Sequence, residues 1–323
     1  MASIDPGAAR VDATEIAAAT VLARGLKAAV GSAVEVREGL LDDLLVCIVA
    51  EGHILIEDLP GVGKTTLARA LARAVGLEFS RIQCTADLLP ADVVGTNIYN
   101  RREERFEFRP GPIFANVALV DEINRASPKT QSGLLECMQE RRVTVDVHTH
   151  ELARPFVVLA TQNPVEFEGT YPLPEAQVDR FMARVSLGYP TPRAEAEMLR
   201  NHESGDRTES VEPVGGPADL LAAQDAARRV HTSDALRTYV VALLRATRED
   251  PRSELGASPR SGLMLLRAAK ARALLLGRDH ALPDDVQELA ELVLGHRVVP
   301  AAQALEATGE LIVRDALAAT SAL

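Results

Sequence analysis

Tryptophan is absent from this chain of 323 residues, and aromatic side chains make up only 3% of it. Alanine and leucine must fill the interior instead, which favours a helix-rich fold. Cysteine is nearly as scarce. Cys47, Cys84 and Cys137 form no Cys-x-x-Cys motif and cannot all pair, so they read as small buried residues in a reducing cytoplasm. No run approaches the ~18 uncharged apolar residues needed to span a bilayer. The first residues, Met1 to Arg10, lack the apolar centre of an export signal. Positive charge is also short: 35 Lys and Arg stand against 46 Asp and Glu, a net charge of −11. That balance argues against a surface that coats nucleic acid, which needs clustered cations. It leaves room for a local basic loop or pore.

A hydrophobic content of 47% with 25% charged residues is that of an ordinary globular protein. The length allows about two domains. An Ala-rich helical pattern runs from Asp12 to about Arg37, with Ile16, Val21, Leu22 and Leu26 as its expected apolar stripe, and a second helix from about Glu38 to Ala50. Strands and helices then alternate: Ile54–Ile56, a helix after Lys64, Glu78–Gln83, Ala118–Val120, a helix over Thr130–Glu140, and Phe156–Ala160. This alternation predicts a parallel sheet covered on both faces. After Tyr189 the character changes, with a polar loop over Ser204–Pro217. Helical patterns follow at Asp219–Val230, Ser233–Thr247, Pro259–Leu276 and Pro283–Leu294. The expected organisation is an α/β domain over 1–189 and a helical one over 190–323.

The most informative stretch is His53-Ile-Leu-Ile-Glu-Asp-Leu-Pro-Gly-Val-Gly-Lys-Thr-Thr66. It reads as a buried strand, a glycine loop and a helix start, the parts of a phosphate socket. Gly61 and Gly63 let successive N–H groups turn inward at an anion. Thr65 and Thr66 open a helix whose positive end faces the same spot. Lys64 supplies charge for the β- and γ-phosphates, and the Thr65 hydroxyl is placed to reach Mg²⁺. The full G-x-x-x-x-G-K-[ST] pattern wants glycine at 58, where this chain has Asp58. A second strand, Val117–Val120, ends in Asp121-Glu122. Asp121 could hold Mg²⁺ through its water shell, and Glu122 could orient and deprotonate a water; the plainer alternative is a helix cap. A third strand ends in Thr161-Gln-Asn-Pro164, where Asn163 could contact a phosphate oxygen or simply form a turn.

From Gly31 to Leu294 these motifs together resemble the AAA+ ATPases, and within them the MoxR family. Leu59-Pro60-Gly61-Val62-Gly63-Lys64-Thr65 is similar to the family's Walker A, Val120-Asp-Glu-Ile-Asn-Arg-Ala126 to its Walker B, and Ala160-Thr-Gln-Asn-Pro164 to its sensor 1. Tyr171-Pro-Leu-Pro-Glu-Ala-Gln-Val-Asp-Arg-Phe181 resembles a MoxR signature in which Arg180 matches the arginine finger, and Gly256-Ala-Ser-Pro-Arg260 resembles the start of sensor 2. Thr96–Pro112 is similar to the helix-2 insert, and about 141–155 to the pre-sensor hairpin. The resemblance implies an AAA+ P-loop core followed by a small all-helical lid. It further implies ATP and Mg²⁺ as cofactors, Thr65 and Asp121 on the metal side, and Arg260 reaching the nucleotide from the lid. Val30 and Gly31 become candidate adenine contacts. A finger supplied across subunits implies a homo-oligomeric ring, by resemblance a hexamer. The family's work is chaperone-like remodelling of a client, often metal-cofactor insertion, together with a von Willebrand factor A domain protein. Its first members were described as methanol dehydrogenase regulators.

Other readings are a nucleic-acid motor and a nucleotide-gated scaffold that hydrolyses little. Arg101, Arg102, Arg105 and Arg109 flank Phe106 and Phe108, but Glu103, Glu104 and Glu107 offset most of that charge. His148-Thr-His150 is expected at a solvated hairpin tip. Leu263, Leu266, Leu274 and Leu275 are expected in the lid core.

Overall fold

A computed structural model describes residues 10–59, 61–163, 170–189 and 207–322, with 192 and 195. Helices α1 (Ala13–Ala33) and α2 (Leu40–Val49) precede strand β1 (Ile54–Glu57), helix α3 (Lys64–Ala74) and strand β2 (Phe79–Gln83). A short helix α4 (Pro90–Val94) leads into a hairpin of β3 (Gly95–Asn100) and β4 (Arg105–Pro110). Then come β5 (Val117–Asp121), α5 (Pro128–Glu140), a second hairpin of β6 (Arg142–Val145) and β7 (His148–Glu151), and β8 (Val157–Gln162). A turn of helix, α6 (Glu175–Val178), precedes β9 (Ala183–Val185). The remainder is helical: α7 (Pro217–Arg229), α8 (Asp234–Glu249), α9 (Pro259–Leu275), α10 (Pro283–Leu294) and α11 (Gly309–Ala319), with a two-stranded ribbon of β10 (Ser253–Leu255) and β11 (Val299–Pro300).

Five strands form one sheet in the order β2-β5-β8-β1-β9, and every pairing in it is parallel. The apolar runs follow from burial on both faces. Ile54, Ile56, Val117 and Leu119 enter the core shared with α1–α3 and the later helices, while Leu55, Ala118 and Val120 enter the core under α4 and α5. Each of the buried Ile, Leu and Val side chains stabilises the fold by about 1.5–3 kcal/mol relative to exposure. The expected α/β core and helical lid are both present.

Three expectations need correction. Val21 is 68% exposed; the buried stripe of α1 is Ala19, Leu22, Leu26, Val30 and Ala33, because alanines occupy positions where larger apolar residues were sought. Leu263 is likewise exposed, and Leu265 fills the lid core in its place. His150 is not at a solvated tip: its ring stacks on Phe108 with centroids 3.8 Å apart, and Asn97 donates to Asp146 at 2.7 Å, so the two hairpins are joined. The sequence pattern also missed β9 and α11. Helix α7 packs on α1 and α2 as well as on α9, so the helices after residue 190 share one core with the N-terminal pair. By length and mean hydropathy (1.2 over its most apolar window) α1 could cross a membrane. In this fold its apolar stripe instead faces α3 and α7.

Candidate active site

The carboxyl ends of β1, β2, β5 and β8 converge on a cleft of about 270 Å³ lined by Gly61, Gly63, Lys64, Thr65, Thr66, Arg81, Gln83, Asp121, Glu122, Thr161 and Asn163. This is where ligands bind in open α/β sheets. Gly61 and Gly63 hold φ of +85° and +91°, a region costly for any residue with a Cβ. Gly63 caps α3, so the first free N–H groups of that helix face the cleft.

Asp58 explains the departure from the glycine pattern. Its buried carboxylate accepts hydrogen bonds from the Ser186 hydroxyl at 3.0 Å, from Gly188 N–H at 3.4 Å and from Leu187 N–H. The loop is thereby tied at its root to the chain leaving β9. The Asp58 carbonyl accepts from Lys64 Nζ at 2.8 Å, which holds the ammonium at the mouth of the loop.

Thr161 is the hub of the opposite wall. Its hydroxyl donates to Asp121 Oδ1 at 3.1 Å and accepts from Glu122 N–H at 2.9 Å. Glu122 adopts a left-handed backbone (φ +55°, ψ +50°), which turns its side chain out of the strand line. Its carboxylate accepts from Gln83 Nε2 at 3.1 Å and Arg125 Nη1 at 3.0 Å. Arg81 donates to Asp121 Oδ2 at 2.7 Å and to Gln83 at 3.1 Å. Arg81, Gln83 and Thr161 were not read from the sequence. The signal was available: polar residues at alternate positions of β2, with Gln83 in register with Asp121.

Magnesium fits this donor set. Asp121 and the Thr65 hydroxyl supply hard oxygen in the same cleft, and Mg²⁺ commonly takes one or two protein oxygens beside substrate phosphates and waters. Both Asp121 oxygens already have partners, which suits contact through the ion's water shell. Among the described residues no cluster of three or more His, Cys, Asp or Glu could hold a metal by itself.

Val62 stands between the lining residues Gly61 and Gly63 with its side chain packed against the core, and Pro60 lies outside the described residues. Val30 is buried in the core and Gly31 is exposed on α1; neither lines the cleft. Val34 is nearer, its Cγ2 3.8 Å from the point where a Cβ on Gly63 would stand. Arg180 is at the opposite edge of the sheet. β9 pairs with β1 as Ile54 with Ala183, and Met182 N–H donates to the His53 carbonyl at 2.7 Å. Arg180 therefore precedes the amino ends of the strands, separated from Lys64 by the whole of β1, about 13 Å of strand, plus the loop. Its Nε is buried without a hydrogen-bond partner among the described residues. Arg260 is also absent from the cleft. It neighbours Ser261, whose hydroxyl lies 3.5 Å from the Asp179 carboxylate, so the start of α9 that carries Arg260 adjoins the segment that carries Arg180.

The three thiols are buried, and burial pushes Cys84 and Cys137 up to about 12, which keeps them protonated and inert.

Comparison with known proteins agrees with this geometry. Residues 53–183 match the ATPase family associated with various cellular activities (AAA), and residues 245–316 match the AAA lid domain. The chain is 50% identical over 277 residues to the uncharacterized protein YeaC of Bacillus subtilis, covering 85% of this chain and 87% of that one. It is 43% identical to Chaperone MoxR1 of Mycobacterium tuberculosis (87% and 77% covered) and 34% identical to Protein MoxR of Methylorubrum extorquens (79% and 81%). A crystal structure from Cytophaga hutchinsonii, provisionally described as an ATPase, superposes with a TM-score of 0.88 at 39% identity, covering 95% of this chain and 97% of the other. With this identity spread over most of each chain, and with core and lid both matched, the chain belongs to the MoxR family of AAA+ ATPases.

Proposed function

We propose that this chain hydrolyses ATP with Mg²⁺ at the interfaces of a ring of its own copies, and that the cycle remodels a client protein. The observation that carries the reading is the division of the sheet. Lys64, Asp121, Glu122 and Asn163 meet at one end, while Arg180 precedes β9 at the other. Arg180, set ahead of the amino ends of the strands, serves the nucleotide of the neighbouring subunit, and Arg260 reads the nucleotide from the lid.

The glycine loop and Lys64 bind the phosphates. Glu122, aimed by Gln83 and Arg125, orients the attacking water and accepts its proton, and Asn163 holds the γ-phosphate side of the cleft. Magnesium, held by Thr65 and, through water, Asp121, would supply charge neutralisation at the β- and γ-phosphates. A γ-phosphoryl group leaves with little covalent help, so charge placed by Arg180 across the interface accounts for a large share of the rate.

A protein client is favoured by the joined hairpins, which expose Ile98, Tyr99, Phe106 and Val147. Arg105 is bound between Glu103 and Glu107, which reduces the charge the first hairpin could offer to nucleic acid. One relative carries the name chaperone, in keeping with that role. A hexamer, a cytoplasmic site of action and a von Willebrand factor A domain partner belong to the same reading.

Glu122→Gln tests it. Calorimetry should show magnesium-ATP binding retained while steady-state hydrolysis falls by about 10²–10⁴. Unchanged turnover would favour a nucleotide-gated scaffold, and stimulation of the wild-type rate by DNA or RNA would favour a nucleic-acid motor.

A further inference from the structure

We infer that Arg297, in the turn after α10, is a positioning residue for hydrolysis: it grips the chain on both sides of residue 180 and so fixes the aim of Arg180 at the next subunit's phosphates. This rests on the reading of Arg180 as a residue that acts across the interface.

The Arg297 side chain is only 2% exposed. A guanidinium carries five N–H donors, and here each has an acceptor. Nε donates to Asp179 Oδ1 at 2.8 Å. Nη1 donates to the Met182 carbonyl at 3.2 Å and to the Val293 carbonyl. Nη2 donates to the Asp179 carbonyl at 3.1 Å and to the Phe181 carbonyl, and it also lies 2.7 Å from Met264 Sδ. All but two of these acceptors belong to residues 179, 181 and 182, and none to Arg180. The neighbours are fixed while the finger's own side chain is not bound by the clamp.

The lid adds two further holds. His296 Nε2 donates to the Phe181 carbonyl at 3.2 Å, and the Ser261 hydroxyl at the start of α9 lies near Asp179. The segment that carries the finger is therefore hung from the lid, between the start of α9 and the end of α10. A lid that shifts with the nucleotide in its own cleft shifts the arginine offered to the neighbour. A buried arginine used only as a staple could be replaced by apolar packing at little or no cost; a five-point fork has geometric precision that apolar packing lacks.

Arg297→Lys keeps the charge and the stem but offers three donors instead of the planar fork. Its kcat should fall by about 10²-fold, the effect of misplacing a reacting group by about an ångström. Nucleotide affinity in its own cleft should stay unchanged. A 1:1 mixture with Glu122→Gln protein, which has sound fingers and a dead cleft, should recover up to about one quarter of the wild-type rate, because random assembly joins a working cleft to a sound finger at about one interface in four. An unchanged kcat, or a loss that mixing does not recover, overturns the proposal. Should Arg297→Lys fail to fold in a thermal melt, Asp179→Asn removes one anchor only. It should lose about tenfold and be recovered by the same mixture, with the same two results counting against the idea. Arg180→Ala serves as reference. If Glu122→Gln does not recover it either, the across-interface reading itself fails; if it does, while Arg297→Lys stays dead, only the clamp is wrong.

Discussion

The two ends of the β-sheet differ in how their polar groups are held. At the carboxyl ends the polar groups are paired with each other across an open cleft: Lys64 with a loop carbonyl, Asp121 with Arg81 and Thr161, Glu122 with Gln83 and Arg125. Those partners can be exchanged for phosphate, metal or water at modest cost, because the exchange replaces one charged contact by another. At the amino ends a few deeply buried polar groups hold the chain. Arg297 is saturated, His53 is held between the Met138 carbonyl and Val158 N–H, and Glu51 gathers Arg141, Arg154 and Arg228. On the reading proposed above, one end receives the nucleotide and the other presents Arg180 to the next copy. A ring enzyme needs both on every copy, since each copy is receiver to one neighbour and donor to the other.

The largest expected effect separates the ends directly. Arg180→Ala should lower turnover by about 10³–10⁵ while leaving the dissociation constant for magnesium-ATP unchanged. Lys64→Ala should instead weaken binding itself, read by calorimetry. If Arg180→Ala weakened binding as much, both ends would serve a single cleft and the division would collapse. Asp58→Ala is a stability test of the receiving end. It leaves Leu187 N–H and its neighbours without their acceptor and should cost about 3 kcal/mol by denaturant midpoint.

Acid should act on the presenting end. Burial pushes His53 down to about 4, and burial beside Arg297 pushes His296 well below its usual value. A histidine held neutral in the fold takes up its proton only on unfolding. Neither therefore penalises the fold above about pH 6.5, and stability is lost as pH falls from there toward 4, by about 2 kcal/mol at pH 5 for His53. Denaturation midpoints at pH 7.5 and pH 5 measure it. A His53→Gln chain should show a smaller difference between the two.

The sequence made the receiving end far more legible than the presenting end. Buried parallel strands are continuous apolar runs, so Ile54–Ile56, Ala118–Val120 and Phe156–Ala160 announced themselves, and the polar residues just past them marked the cleft. Strand β9 did not: Ala183-Arg-Val185 is three residues long with a charge in the middle, and only its pairing with β1 makes it a strand. In the sequence Arg297 is one basic residue at a helix end, where cations favour the dipole. Its role depends on carbonyls more than a hundred positions away, and no local pattern encodes such a contact. Asp58 is the same case in reverse. As a sequence feature it was a defect in a motif, and in space it is the tie that fixes the loop. Val21 and Leu263 show the remaining limit: helical periodicity locates a face only when size and burial coincide, and an alanine-rich core breaks that link.

The smallest effect concerns what hangs from the presenting end. The β6–β7 hairpin is rooted there, because Arg141 and Arg154 flank it and both reach Glu51, just ahead of β1. The β3–β4 hairpin leans on it through the Phe108–His150 stack and the Asn97–Asp146 hydrogen bond. If the pair moves as one body with the finger segment, Phe108 and His150 must be energetically coupled. A double-mutant cycle with Phe108→Leu and His150→Ala should return about 1 kcal/mol of coupling in stability. Client-stimulated turnover should fall in either single variant while basal turnover holds, because neither residue lines the cleft or neighbours Arg180. Additive effects would mean that the hairpins move independently, and that the presenting end aims an arginine without also driving a client.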